Sequence, residues 1–214
     1  MIIGVSGYSG SGKDTIGYII QYIFCMDKQN VSIEEVCTKY AENQWWLEEQ
    51  STWEIRKFAG KLKDIAGHLT NIDIEKFEDQ EFKKTDLGAE WGMTVRDFLQ
   101  KLGTDALRDG LHPNVWVNAL MADYECVPAD RAPGGWDCNN WIITDTRFPN
   151  EAEAIKSRGG IVIRVDRPGV KPINPHPSEV ALDDWNFDYK IVNISDIYSL
   201  KQTVEQVLKY AKLL

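Results

Sequence analysis

Basic residues, histidine and cysteine are all scarce in this chain, and each shortage narrows what it can do. Only 24 Lys and Arg stand against 33 Asp and Glu, a net charge of −9. That balance argues against a broad basic surface for a nucleic-acid polymer. A small phosphorylated ligand is a different matter, because its few charges need only a local cluster of Lys and Arg in one cleft. The four cysteines, Cys25, Cys37, Cys126 and Cys138, show no metal-ligand spacing, so they read as reduced thiols of an intracellular protein. Histidine numbers three; His176, in Pro-His-Pro-Ser-Glu, has no partner pattern and reads as a surface or packing residue rather than a base. No apolar run approaches the ~20 residues of a membrane-spanning helix. The first strand begins too early for a signal peptide, and neither a repeat nor a long Ser/Gly/Pro linker divides the chain. The expectation is a cytoplasmic protein with no membrane partner.

What is present is an ordinary globular composition, 43% apolar and 27% charged over 214 residues, enough chain to bury a substantial core. The sharpest signal is at the start. A short apolar run, Met1 to Val5, feeds into Gly7-x-x-x-x-Gly12-Lys13, and Ile16, Ile19, Ile20, Ile23 and Phe24 follow at helical spacing. Strand, glycine-rich turn and helix in that order give a phosphate-loop pattern its structural context. Loop N–H groups and the helix N-terminus form an anion nest, and Lys13 reaches the outer phosphates. Gly7, Gly10, Ser11, Gly12, Lys13, Asp14 and Thr15 are therefore the expected ATP-binding residues. Asp14 stands where the usual pattern has the Ser or Thr that meets Mg²⁺, and Thr15 comes one place later. This Gly-Lys-x-Thr variant resembles nucleoside monophosphate kinases more than GTPases or motor ATPases. Magnesium keeps several waters, so Asp14 or Thr15 is expected to meet it directly or through water.

Candidate strands at 1–6, about 54–59, 140–145, 161–166 and about 189–193 alternate with helical patterns at 13–27, 60–69, 94–108, 114–124, 149–158 and 197–213. Such alternation predicts a three-layer α/β fold, a central parallel sheet flanked by helices, with its site at the carboxyl ends of the strands. The prediction is one phosphate-loop domain over 1–214, with a helical substrate-binding insertion at about 60–125 and a lid-like segment at about 167–180. Thr94-x-x-Asp97 reads as a capping box, and Gly159-Gly160 as a helix stop. The stretch 127–139 reads as a surface loop, 167–178 as too proline-broken for a regular element, and the acidic Ser32–Glu54 as a solvated helical excursion.

Trp141-Ile-Ile-Thr-Asp145 reads as a buried strand ending in a carboxylate, a Walker B-like element in which Asp145 holds Mg²⁺ or its waters. Arg147 and Glu151 follow; Arg147 suits phosphate neutralisation and Glu151 its orientation or acceptance of a substrate hydroxyl, the other reading being a structural Asp–Arg–Glu ion network capping the next helix. On helix 94–108, Val95, Phe98, Leu99, Leu102 and Ala106 form the buried stripe. Arg96, Gln100 and Gly103 share another face. That strip suits a phosphate or base approaching the backbone, or simply a solvated arginine beside a packing glycine.

Several blocks together resemble the deoxynucleoside monophosphate kinases of T-even and related bacteriophages. They are Gly7-Tyr-Ser-Gly-Ser-Gly-Lys-Asp-Thr15, Phe58-Ala-Gly-Lys-Leu-Lys-Asp64, Val95-Arg-Asp-Phe-Leu-Gln-Lys-Leu-Gly-Thr-Asp105, Trp116-Val, Asp145-Thr-Arg147 with Glu151, and Val165-Asp-Arg-Pro-Gly169. The resemblance implies transfer of the ATP γ-phosphoryl group to a deoxynucleoside 5′-monophosphate for viral DNA precursor synthesis, in the host cytoplasm. It assigns Leu62, Lys63, Lys84 (or its neighbour Lys83), Arg96, Gln100, Gly103, Thr104, Asp145, Arg147 and Glu151 to the monophosphate site, with Trp116 as an aromatic wall against the base. Lys13, Arg96, Asp145 and Arg147 would be catalytic, and Asp14, Thr15 and Asp145 would serve Mg²⁺. The chain is shorter than the T-even enzymes before the Arg96 helix and differs at His176-Pro-Ser-Glu179, so base selectivity and dimer contacts do not carry over, and a homodimer stays open. Two other readings remain: a phosphate-loop kinase for another small acceptor such as dephospho-coenzyme A, and a nucleotide-gated binding protein that hydrolyses ATP slowly.

Overall fold

The structure, a computed structural model, describes residues 1–26, 31–128, 136–172, 177–194 and 196–214; His176 lies outside them. The chain divides into two compact units, residues 1–57 with 124–214, and residues 58–123.

The first unit opens with β1 (Ile2–Ser6), buried at every position. A strand covered on both faces needs no polar alternation, which is why its sequence reads as a continuous apolar run. The helix α1 (Lys13–Ile23) follows the glycine turn and buries Ile16, Ile19, Ile20 and Ile23. Gly17 lets it lie close to the sheet, since a Cβ there would stand 2.5 Å from Thr144 Cγ2. Next come α2 (Ile33–Thr38), α3 (Tyr40–Gln50) and β2 (Glu54–Arg56). The acidic excursion is therefore not merely solvated: Ile33, Val36 and Leu47 join the main core. One of its acids caps a helix, Glu35 accepting from the Ser32 N–H at 2.9 Å while Ser32 Oγ accepts from the Glu35 N–H.

The second unit holds α4 (Gly60–Thr70), single 3₁₀ turns at Ile74–Glu78 and Phe82–Lys84, α5 (Val95–Gln100), a π-helical stretch Lys101–Asp109, and α6 (Val115–Met121). Its core is Ala66, Phe77, Val95 and Phe98. Thr94 caps α5 as its spacing predicts, accepting from the Asp97 N–H at 3.2 Å. The expected continuous helix 94–108 instead widens at Lys101, with i→i−5 bonds such as Gly110 N–H to the Asp105 carbonyl. That shift breaks the 3.6-residue phase on which the Arg96–Gln100–Gly103 strip was drawn, and Ala106 is exposed rather than in the buried stripe.

The chain returns to the first unit through β3 (Cys126–Pro128) and β4 (Trp136–Cys138), an antiparallel pair where a plain loop was expected. Its register sets Cys126 opposite Cys138, and the two form a disulfide. The reduced-thiol reading is thus corrected for this pair, while Cys25 and Cys37 keep their thiols. Disulfides are rare in reducing compartments, so the cysteines no longer support a cytoplasmic assignment. No helix among the described residues is long and apolar enough to cross a membrane.

The remaining elements are β5 (Trp141–Ile143), α7 (Pro149–Lys156), β6 (Ile161–Asp166), the short α8 (Pro177–Val180), β7 (Tyr189–Val192) and α9 (Ile197–Tyr210). So the proline-broken stretch does end in a helical turn. Five of the described strands form one parallel sheet, β2-β5-β1-β6-β7, apart from the β3–β4 pair. Ile3, Val5, Ile142, Ile163 and Val165 share a core with α1 and α9, while Gly4, pointing oppositely, meets Ile155 of α7. Helices thus cover both faces, the expected three-layer α/β arrangement, and the ends of β1 and β5 deliver the phosphate loop and Asp145 to the same edge.

Candidate active site

The loop between β1 and α1 is built by contacts that leave its glycines little choice. A side chain on Gly7 would collide with the Val165 carbonyl oxygen, and Gly12 holds φ 98°, ψ 23°, the left-handed region. The Asn193 side-chain amide donates to the Ser11 carbonyl at 2.9 Å. The Arg164 guanidinium, fixed by Asp166 and Asp183, lies 4.6 Å from the Tyr8 ring centre. Above Gly10 there is open space within 4 Å, and the buried Ser11 Oγ has no hydrogen-bond partner among the described residues. An anion seated in the loop suits both observations.

Lys13 is only 7% exposed and donates to the Tyr8 carbonyl at 2.8 Å. Burial, and then the nearby Arg147 charge, lower its pKa to about 8, against the opposing pull of Asp14, Glu179 and Asp145. A buried ammonium hemmed in by another cation is a group waiting for negative charge.

Asp14 accepts from Thr144 Oγ1 at 2.8 Å and pairs with Lys57 at 3.3 Å. Burial alone would raise its carboxyl pKa; Lys57 and the Thr144 hydroxyl outweigh that and hold it below the usual range. Among the described residues no three His, Cys, Asp or Glu side chains gather as a metal cage. The donor set of Asp14, Thr15 and Asp145 fits a cation that keeps waters and phosphate oxygens as ligands, as Mg²⁺ does. Glu151, nearly fully buried, accepts from the Arg147 and Phe148 N–H groups at 2.8 and 3.1 Å, capping α7. Glu151 thus caps the helix through backbone N–H groups, while the guanidinium of Arg147 turns to a different carboxylate. Arg147 Nη1 donates to Glu179 Oε1 at 2.7 Å and to the Ser178 carbonyl at 3.3 Å.

The other expected acceptor residues belong to the second unit. Lys63 is buried and paired with Glu78, Lys84 is exposed and paired with Glu81, and Arg96 donates to Gln80 Oε1 at 3.3 Å. Gln100 and Thr104 are half-buried. Gly103 packs on Leu62, whose Cδ2 a Cβ would meet at 2.8 Å, so this glycine serves close packing. Trp116 is 5% exposed, and its indole N–H donates to the Gly103 carbonyl at 2.8 Å, a packed geometry that leaves little ring for a base. Sequence reading missed Lys57, Arg164, Asn193 and Glu179. Only Lys57, adjoining the Phe58–Asp64 block, carried a local signal.

The sequence profile of the deoxynucleotide monophosphate kinase family matches residues 27–204, beginning after the phosphate loop. A provisionally named deoxynucleotide monophosphate kinase of Acanthamoeba polyphaga mimivirus is 31% identical over 221 aligned positions, covering 93% of this chain and 93% of the relative. The deoxynucleotide monophosphate kinase of Enterobacteria phage T4 is 32% identical over 116 positions, 54% of this chain and 46% of the phage protein. The deoxynucleoside-5′-monophosphate kinase of Escherichia phage T5 is 23% identical across 95% of this chain and 94% of its own. With a profile match over most of its length and a full-length viral relative, the chain belongs to the deoxynucleotide monophosphate kinase family and is a phosphotransferase.

Proposed function

We propose that this chain moves the γ-phosphoryl group of ATP to a deoxynucleoside 5′-monophosphate, giving ADP and the diphosphate, in viral DNA precursor supply. The observation that carries the reading is Lys13: a buried ammonium in a glycine loop, beside Arg147 and the strand-end carboxylate Asp145. An ionised oxygen of the acceptor phosphate attacks the γ-phosphorus, and the bond to the β-bridging oxygen breaks, leaving ADP. No general base is needed, because the attacking oxygen carries no proton at neutral pH. Positioning and charge supply the catalysis. Lys13 meets the donor's outer phosphates, and Arg147 bridges transferring and accepting groups. Mg²⁺, when bound, neutralises phosphate charge; Asp145 and Thr15 would hold it through oxygen or water, with Asp14 assisting. By the family resemblance, Lys63, Lys84, Arg96, Gln100 and Thr104 are acceptor contacts.

The test is ADP release with and without a panel of deoxynucleoside monophosphates. Turnover that depends on the acceptor is the expected result; hydrolysis indifferent to it would select the slow-ATPase reading, and turnover only with dephospho-coenzyme A the other kinase reading. Arg147→Lys keeps the charge and loses the two-pronged fork. It should lower kcat/KM for the monophosphate by about 10²-fold, the typical loss for one preorganised donor, while ATP affinity changes far less. A fall in ATP affinity with unchanged acceptor kinetics would move Arg147 to the donor side.

A further inference from the structure

Glu179 has a carboxylate only 8% exposed, and carboxylates are seldom so buried without partners. Its partners are the unusual part. Oε2 accepts from the Ser9 N–H at 3.2 Å, inside the glycine loop, and Oε1 accepts from Arg147 Nη1 at 2.7 Å. The same carboxylate is among the negative charges acting on Lys13. One loop N–H and one guanidinium donate to it, and one ammonium feels its charge; a nucleotide's phosphate oxygens would use the same three groups. The neighbouring acids are otherwise engaged: Asp14 with Thr144 and Lys57, Glu151 with the N–H groups opening α7.

We propose that Glu179 is an internal stand-in for a donor phosphate, occupying the phosphate loop and Arg147 until the nucleotide displaces it. The proposal rests on the donor-site reading of that loop. Carboxylate and phosphate oxygens compete for the same anion nest, and two anions at one N–H repel, so an arriving phosphate expels Glu179. Arg147 then loses its carboxylate partner and turns to phosphate. Donor binding and release of the bridging guanidinium become a single event. Until then Glu179 keeps Lys13 and Arg147, two like charges, from facing each other uncompensated. The cost is affinity, because a site occupied from within binds more weakly by the fraction of molecules that are free.

The experiment is calorimetric titration of MgATP, without acceptor, into wild type, Glu179→Gln, Glu179→Ala and Lys13→Ala. If Glu179 fills the loop in about nine molecules of ten, its removal tightens binding about 10-fold. Glu179→Gln keeps the shape and loses the competing charge; Glu179→Ala loses both. Tightening in either variant, with a larger ATP-induced rise in Tm, is the expected result. A residue that merely supports Arg147 gives the opposite sign, so unchanged or weaker ATP binding in both variants overturns the proposal. Lys13→Ala separates the two levels. Where wild type binds ATP and Lys13→Ala does not, the loop reading stands and the Glu179 result is decisive alone. Where wild-type binding is absent or indifferent to Lys13, the loop reading fails and the proposal falls with it.

Discussion

Lys13→Ala leaves a folded protein that has lost nearly all phosphoryl transfer, a fall in turnover of about 10²–10³-fold, as for removal of one preorganised electrostatic donor. The fold survives because the ammonium is held against its own preference. Its pKa, lowered from 10.5 to about 8 by burial and by Arg147, means that folding weakens the hold on the proton relative to the unfolded chain, though the ammonium still prevails at neutral pH. Between pH 8 and 10.5 the unfolded chain therefore binds the extra proton, and this residue's contribution to stability rises with pH. Function runs the other way. Above about pH 8 the unliganded protein loses the charge that draws phosphate, so ATP affinity falls while Lys13's stability contribution grows. Bound phosphate restores the proton, and titrations near pH 8.5 in buffers of different ionisation enthalpy should show proton uptake on ATP binding that Lys13→Ala lacks. Near-wild-type turnover in Lys13→Ala would remove the phosphate-loop assignment.

The phosphate-loop assignment behind that prediction was legible in residues 1–24 because everything needed for it is local. An apolar run, a glycine turn and an amphipathic helix follow one another within a few residues, and Asp145 is marked by the buried strand before it. What escaped depends on register and on distant partners. Cys126 and Cys138 are paired by a hairpin register rather than by any spacing rule. The π-helical widening at Lys101 shifts the phase that an α-helical reading assumes. Glu179 reaches the loop from 170 residues away, after a proline-rich stretch that resembles no element. Ser32–Glu54 misled because its acids dominate the composition while Ile33, Val36 and Leu47 bury the face that matters. Charge reports what a helix shows to water, and only the periodicity beneath it reports what the helix covers.

Trp116→Ala should unfold the protein more easily by about 3–5 kcal/mol, the usual range for deleting a buried tryptophan. Trp116 is 5% exposed, and its indole N–H ends on the Gly103 carbonyl at 2.8 Å. Truncation therefore opens a cavity and strips a buried acceptor of its donor, the latter alone worth about 1–3 kcal/mol. The damage concentrates where Gly103 packs on Leu62, in the π-helical stretch that carries the expected acceptor residues. Trp116→Phe, keeping most of the ring and losing the N–H, should cost mainly the hydrogen bond. A base wall behaves differently: its truncation weakens nucleotide binding by about 1–3 kcal/mol and spares the melting temperature. Denaturant titration of both variants, with KM for the monophosphate measured well below the transition, separates these outcomes. The buried indole predicts early melting with KM little changed; an unshifted Tm with a raised KM would make Trp116 the base platform that the family resemblance assigns.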